Sequence, residues 1–299
     1  MGKQPWTPNL IMPGVAKCGT TTLHDLLAAH PQVQSGIEKE VRFLMDENET
    51  QPRETDIHKH GTEGWQTRYP SEARQGTKIW IDATPQYQYQ KTAYQVVSDL
   101  AEKPYILIIV RRPSDRLFSM YQYAKYHQKT TPFISDFPAF IKAIRGRPDD
   151  RLRDQTMLYN AWPDTDYATL CDNWSAMVGK EKFMCVSLED LIADQNAVLS
   201  KIASFLAIDL AAYPETAQSQ ANPTVVTKSR AFRIVGSRVA RHLPNTGIFR
   251  KLKDFGKQMN SGLIDRSEKA GNESLLAEID TSFADSCNQA RAKWGIENL

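Results

Sequence analysis

Cysteine is scarce in this chain of 299 residues. Only Cys18, Cys171, Cys185 and Cys287 occur. They lie far apart, with no C-x-x-C pair and no metal-ligand spacing, which excludes a disulfide framework and a structural zinc site and leaves four reduced thiols. Long apolar runs are missing too. None approaches the ~20 residues that span a bilayer, so no integral membrane segment is expected. The start, "MGKQPWTPNLIMPG", is too short and too polar for a secretory leader. Trp6 stands where an N-myristoylation signal needs Ser or Thr. Excess charge of one sign is absent as well: 37 Lys and Arg face 35 Asp and Glu, a net +2, which gives no argument for nucleic acid as a partner. There is no internal repeat and no low-complexity linker. What remains is an ordinary globular composition, 41% hydrophobic and 24% charged, expected to form one cytoplasmic domain over residues 1–299.

Along the chain, apolar strand-like runs alternate with amphipathic helical ones. "NLIMPGV" reads as a short buried strand and "TTLHDLLAAHP" as a helix, with Leu23, Leu26 and Leu27 on one face and Pro31 past its end. "KIWIDATP" is a second strand, stopped by Pro85. "PYILIIVRRP" is apolar throughout, the pattern of a strand buried on both faces of a parallel sheet. "RLFSMYQYAKYH" follows as a helix, "KFMCVSLEDL" as another strand and "AVLSKIASFLAI" as another helix. This order predicts an α/β fold, a doubly wound parallel sheet flanked by helices. Two stretches depart from it. Residues 46–76 are polar and read as a surface excursion. Residues 228–257 carry Lys228, Arg230, Arg233, Arg238, Arg241, Arg250, Lys251, Lys253 and Lys257 against Asp254 alone. That stretch reads either as an amphipathic helix with a solvated basic face or as an anion-binding flap.

Two motifs carry the chemistry. "GVAKCGTTTL" has glycines at 14 and 19 with the spacing of a phosphate-binding loop, yet Lys17 precedes the second glycine and Thr20, Thr21 and Thr22 follow it. A loop between a strand and a helix N-terminus points backbone N–H groups and the positive end of the helix dipole at one spot. Gly14 and Gly19 allow close approach, the threonines add hydroxyl donors, and Lys17 adds a full charge. The site suits a phosphate-type anion. The second motif is "RRPSDRLFSMY". Arg111 lies where the buried strand ends and Ser119 in the helix that follows, so both can meet one anion at the carboxyl edge of the sheet, where ligands bind in such folds.

Together these segments resemble the sulfotransferases that use 3′-phosphoadenosine 5′-phosphosulfate (PAPS). "GVAKCGTTTLHDLLAAHP" is similar to the family's 5′-phosphosulfate loop, G-x-x-K-x-G-T-T-x-L with a trailing H-P. "RRPSDRLFSMY" is similar to the 3′-phosphate motif, R-x-P-x-x-R-x-x-S-x-Y. "KEVRFL" resembles the K-E-x-x-F-F segment of the carbohydrate and heparan-sulfate-type enzymes, and "DATPQY" their [ST]-P-x-Y element. The likeness covers residues 11 to about 210, with an echo in "FADSCNQARAKWGIENL". It implies a P-loop-like fold and sulfuryl transfer from PAPS without a metal. The acceptor would be a hydroxyl, rather than an amine, of a carbohydrate or small metabolite. It implies nucleotide contacts from Lys17, Cys18, Gly19, Thr20, Thr21, Thr22, Arg111 and Ser119. Arg230, in the basic stretch placed here at 223–260, would cover the 3′-phosphate. Lys17 would stabilise the leaving phosphate and Glu40 would take the acceptor's proton. The family's frequent dimerisation leaves a homodimer open.

Several alternatives stay open at this level. Glu38 competes with Glu40 if the segment shifts by two residues, and His58, His60 and His127 compete as bases. Lys39 could orient either substrate. Tyr159 and Trp162 could line an acceptor pocket or simply pack. Asp82 and Ala83 stand where many carbohydrate enzymes have Glu-Lys, and Arg42 and Leu44 replace a more usual His and Phe. A small-molecule P-loop kinase would need a lysine directly after Gly19, where Thr20 stands. A non-catalytic nucleotide-binding protein would have no need of Lys17 and Glu40 together.

Overall fold

The apolar run at 105–110 forms the strand on which the rest is arranged. The computed structural model describes residues 6–47, 49, 55–125, 131–213 and 266–299. Five strands, β1 (Leu10–Ile11), β2 (Val33–Ser35), β3 (Ile79–Asp82), β4 (Tyr105–Val110) and β5 (Phe183–Ser187), make one sheet in the order β2-β3-β1-β4-β5. Every pairing is parallel. Ile106, Ile108 and Val110 feed one core and Leu107 and Ile109 the other. That alternation is what a strand buried on both faces requires.

The helices fill both sides: α1 (Thr20–Ala28), the short α2 (Ile57–His60), α3 (Lys91–Asp99), α4 (Pro113–Tyr123), α5 (Phe137–Ile144), the short α6 (Thr156–Tyr159), α7 (Tyr167–Val178), α8 (Leu188–Ala193), α9 (Gln195–Phe205), and the C-terminal α10 (Arg266–Ala270), α11 (Glu273–Ser282) and α12 (Ala284–Trp294). Pro113 opens α4 where its missing N–H costs nothing. Asp280 on α11 then accepts from the Ser114 backbone N–H at 2.9 Å and its hydroxyl at 2.8 Å, capping α4 from a distant part of the chain. His30 fixes the turn after α1: one ring nitrogen meets the Asp209 carbonyl at 2.7 Å and the other accepts from the Gln32 N–H at 3.1 Å. Among the described residues no helix is long and apolar enough to cross a membrane.

The three longer strands, β3, β4 and β5, fall where the sequence pattern puts them, and β1 is only two residues long. The edge strand β2 is a surprise; "VQS" between Pro31 and Gly36 is too short to show a period. The 46–76 segment is more than a surface excursion. Its 3-10 turn, Thr62–Arg68, buries Trp65 completely. Tyr69, also buried, donates to the Ile81 carbonyl at 3.1 Å. Parallel pairing puts the carboxyl ends of β2, β3, β1 and β4 on one edge. There the chain segments beginning at Gly36, Ala83, Met12 and Arg111 emerge side by side.

Candidate active site

The loop after β1 is held from both sides. Val15 donates to the Ile109 carbonyl at 2.9 Å, and Ile109 donates to Gly14 at 3.2 Å, so the loop continues alongside β4. Arg116, fully buried, donates from Nε to the Ala16 carbonyl at 3.1 Å and from Nη1 to the Ala161 carbonyl at 2.7 Å. The second arginine of the R-x-P-x-x-R motif therefore props up the loop from below. Gly19 is required, because its φ is 91° and a Cβ there would also meet the Leu188 side chain at 2.8 Å, whereas a Cβ at Gly14 would crowd only the end of the Gln88 side chain, 2.7 Å from Oε1. Gly19 is the N-cap of α1, and no side chain caps that helix. The N–H groups of Thr20, Thr21 and Thr22 have no carbonyl one turn earlier to bond. The uncapped start of a nine-residue helix, entered from a loop that carries a lysine, favours an anion.

Lys17 takes a left-handed backbone, φ 70°. Its Nζ lies 4.5 Å from the centre of the Tyr123 ring. Burial, reinforced by Arg111 and Lys39 and opposed by Cys18 and Glu40, brings its pKa down to about 8. Arg111 stands beside it, with Nη1 3.5 Å from the Lys17 carbonyl. Ser119 is half-buried on α4, two turns into the helix. Cys18 faces the other way. Its thiol is wholly buried, 3.9 Å from both the Ala16 carbonyl and the Tyr167 hydroxyl, and its N–H donates to Val15 at 3.1 Å. Burial pushes the thiol up to about 11. In this geometry the Cys18 side chain and N–H both have partners within the protein, the N–H inside the loop itself.

Glu40 reaches the same edge from β2. Its Oε2 accepts from Arg42 at 3.0 Å and from Gln86 at 3.1 Å, while Oε1 has Lys39 at 3.5 Å. Burial pushes its pKa up, but Lys39, the Gln86 hydrogen bond and Arg42 outweigh this and hold the carboxyl below its ordinary value. Lys39 also reaches Thr20 Oγ1 at 3.4 Å, linking this segment to α1; burial lowers its pKa against the pull of Glu40. Glu38 instead pairs with Arg68 at 3.4 Å. His58 and His60 turn to the backbone carbonyls of Met45 and Asp56, at 2.9 and 3.3 Å. Trp162 lies beside Phe283 with ring centres 4.8 Å apart and planes tilted by 50°, and Tyr159 packs, partly buried, against the core. Arg230, the rest of the 228–257 stretch and His127 lie outside the described residues.

Asp82 is the residue whose part in the site the sequence hides. It is fully buried and accepts from Trp65 Nε1 at 3.0 Å, the Tyr87 hydroxyl at 2.9 Å and the Thr84 hydroxyl at 2.6 Å. Tyr87 in turn accepts from the N–H groups of Phe43 and Leu44 at 2.8 and 3.1 Å, and Thr84 from that of Arg42 at 2.9 Å. One carboxylate thereby sets the path of residues 42–44 just beyond Glu40. Gln86 fills the unspecified position of the "DATPQY" element, so the motif gave it no role. Its Oε1 is buried and has no partner among the described residues.

An uncapped helix end, a lysine, an arginine and a carboxylate converge at the carboxyl edge of a parallel sheet. That defines a P-loop-like anion-binding α/β protein with a proton acceptor at hand. The sequence profile of the Sulfotransferase domain matches residues 7–261, and the chain belongs to that family. Among curated proteins it is 24% identical over 207 residues to bifunctional heparan sulfate N-deacetylase/N-sulfotransferase 4 of Mus musculus, and 23% over 202 residues to the human N-deacetylase/N-sulfotransferase 3. Each match takes in 67% of this chain and 22% of the relative, so the chain spans about a fifth of the length of these proteins. Among solved structures, a sulfotransferase from Alicyclobacillus acidocaldarius superposes with a TM-score of 0.56 at 22% identity, over 69% of this chain and 83% of that one, and shares the fold.

Proposed function

We propose that this chain is a cytoplasmic, single-domain enzyme that moves a sulfuryl group from PAPS to a hydroxyl of a carbohydrate or small metabolite. The observation that carries the reading is the uncapped start of α1, with Lys17 in the loop that leads into it and Glu40 joined to it through Lys39, which reaches both Thr20 and Glu40. The names of the mammalian relatives keep an amine as the second acceptor class. When bound, the nucleotide supplies a sulfuryl group on a 5′-phosphate, and transfer of this kind is loose, in-line and governed by positioning and electrostatics.

The residues divide the work. The N–H groups of Thr20 to Thr22 and the Lys17 ammonium take the 5′ end; Arg111 and Ser119 take the 3′-phosphate. Lys17 neutralises the charge left on the phosphate oxygen as the S–O bond breaks. It is protonated for this task below about pH 8. Glu40 takes the acceptor's proton as the new O–S bond forms. Its Oε2 is occupied by Arg42 and Gln86, so Oε1, with Lys39 only at 3.5 Å, is the basic oxygen. A carboxylate held ionised by three donors is a weak base, which suits proton transfer late in bond formation.

Calorimetric titration with 3′-phosphoadenosine 5′-phosphate (PAP) in EDTA, beside ATP with magnesium, tests the reading. Binding of the bisphosphate alone is expected. Binding of ATP with magnesium alone would overturn it in favour of a kinase. Bisphosphate binding with no turnover on any hydroxyl or amine acceptor would leave a non-catalytic nucleotide binder.

A further inference from the structure

We propose that Tyr123 is a positioning residue for Lys17, holding its ammonium over the ring face and tying it to the helix that carries Ser119. The inference rests on the reading that Lys17 meets the 5′ end of the nucleotide. Lys17 Nζ lies 4.5 Å from the Tyr123 ring centre, well inside the distance at which a cation is drawn to the negative face of an aromatic ring. The charged groups around Lys17 do not fix it by themselves. Arg111 and Lys39 repel the ammonium, Glu40 attracts it, and the neutral Cys18 thiol lies beneath. A carboxylate in place of the ring would hold the lysine as an ion pair and cancel the charge that the leaving oxygen needs. A ring face steadies the ammonium and leaves that charge in place.

The helix adds a second consequence. Ser119 and Tyr123 are four residues apart on α4 and so share one face. Arg111 precedes the same helix and its guanidinium reaches the Lys17 carbonyl. One rigid element therefore presents Arg111 and Ser119 to the 3′ end of a nucleotide and, through Tyr123, sets the lysine at the other end. Occupation of one end is coupled to the placement of the other without any new contact.

The test is the pH dependence of PAP affinity in the full chain, measured by calorimetry for wild type, Tyr123→Leu, Tyr123→Phe and Lys17→Met. Wild-type affinity should fall as pH rises through the titration of Lys17, and Lys17→Met should abolish that fall. Removing the ring face should bring the fall down by roughly 0.5–1 pH unit, so that affinity drops about 2- to 5-fold at the wild-type midpoint and about 3- to 10-fold well above it. Phenylalanine, which keeps the face, should restore the wild-type profile. If leucine unsettles α4, as its melting temperature would show, Tyr123→Met serves in its place. A leucine or methionine variant with the wild-type pH profile, beside a lysine variant that has lost it, overturns the proposal and leaves the functional reading standing. A wild-type protein with no affinity for PAP overturns the functional reading itself. A general loss of affinity at every pH, with the fall unmoved, assigns Tyr123 to packing and also overturns the proposal.

Discussion

The two halves of the site are built in opposite ways. The 5′ part of the proposed nucleotide half, residues 14–22, is local, although Arg111 and Ser119 join it from a distant segment. Its glycines, lysine and threonines follow one another, and backbone geometry does most of the binding. The proposed acceptor half, residues 36–46 with 82–90, is assembled across the chain. Glu40 is set by Arg42, Gln86 and Lys39, and their segment is set by Asp82 through Thr84 and Tyr87. A local site tolerates change elsewhere. An assembled one depends on buried polar groups whose loss is felt at a distance. The difference also explains how one fold can keep its nucleotide and change its acceptor.

The largest effect should come from Glu40→Gln, which keeps the shape and the neighbours but cannot accept a proton. Turnover should fall by ~10²–10⁴ with PAP affinity retained in calorimetry. Loss of both together would place Glu40 in the nucleotide half and break the division. Lys17→Met comes next, on the other side. Turnover should fall by ~10²–10³, now with weaker PAP binding. It should also change how stability depends on pH. The unfolded lysine holds its proton to 10.5, whereas the folded one releases it near 8. Between those values the unfolded state binds more protons, so folding stability gains from rising pH. Chemical denaturation of wild type should show that gain between about pH 8 and 10.5 relative to Lys17→Met. Equal slopes would mean Lys17 is better solvated than its surroundings suggest.

This contrast also decides what the sequence could reveal. The strand–loop–helix at 10–28 and the apolar strand before Arg111 were legible because each signal is contiguous: a run, two glycines, a lysine, a proline. Glu40 was legible only through the resemblance of "KEVRFL" to a family segment. Asp82 appeared merely as a departure from Glu-Lys, since nothing in "DATPQY" tells that Trp65, seventeen residues earlier, donates to it. Trp65 itself was lost in a polar stretch whose composition suggested surface. Arg116 stood in a quoted motif, yet its role under Ala16 depends on the β1–β4 pairing. Tyr123 lies beyond the motif's last tyrosine and gains meaning only when α4 is placed against the loop.

Asp82→Ala is the sharpest test of the assembled half. It strands three buried donors, from Trp65, Tyr87 and Thr84, and should cost about 3 kcal/mol or more of stability, since each stranded group carries a penalty of ~1–3 kcal/mol. Where the protein still folds at low temperature, turnover should fall further than PAP affinity, because Phe43, Leu44 and Arg42 lose the partners that aim Glu40. An equal fall in both would mean that Asp82 supports the sheet as a whole rather than the acceptor half.

The smallest effect should be at Cys18, and it bears on the nucleotide half. Cys18 lies between Lys17 and Gly19, inside the loop, so position alone would make it a ligand contact. The structure turns it inward: the thiol is fully buried and its nearest polar neighbours are 3.9 Å away. Such distances allow only weak sulfur contacts, so Cys18→Ala removes little beyond a buried sulfur, at about 1 kcal/mol. PAP affinity should stay within about twofold, because the loop's backbone bond from residue 18 to Val15 does not involve the side chain. The thiol, pushed up to about 11 by burial, should also resist alkylation at neutral pH, and mass spectrometry of iodoacetamide-treated protein would read this directly. Rapid modification of Cys18, blocked by PAP, would show that the thiol faces the ligand. The local half would then depend on a side chain as well as on its backbone.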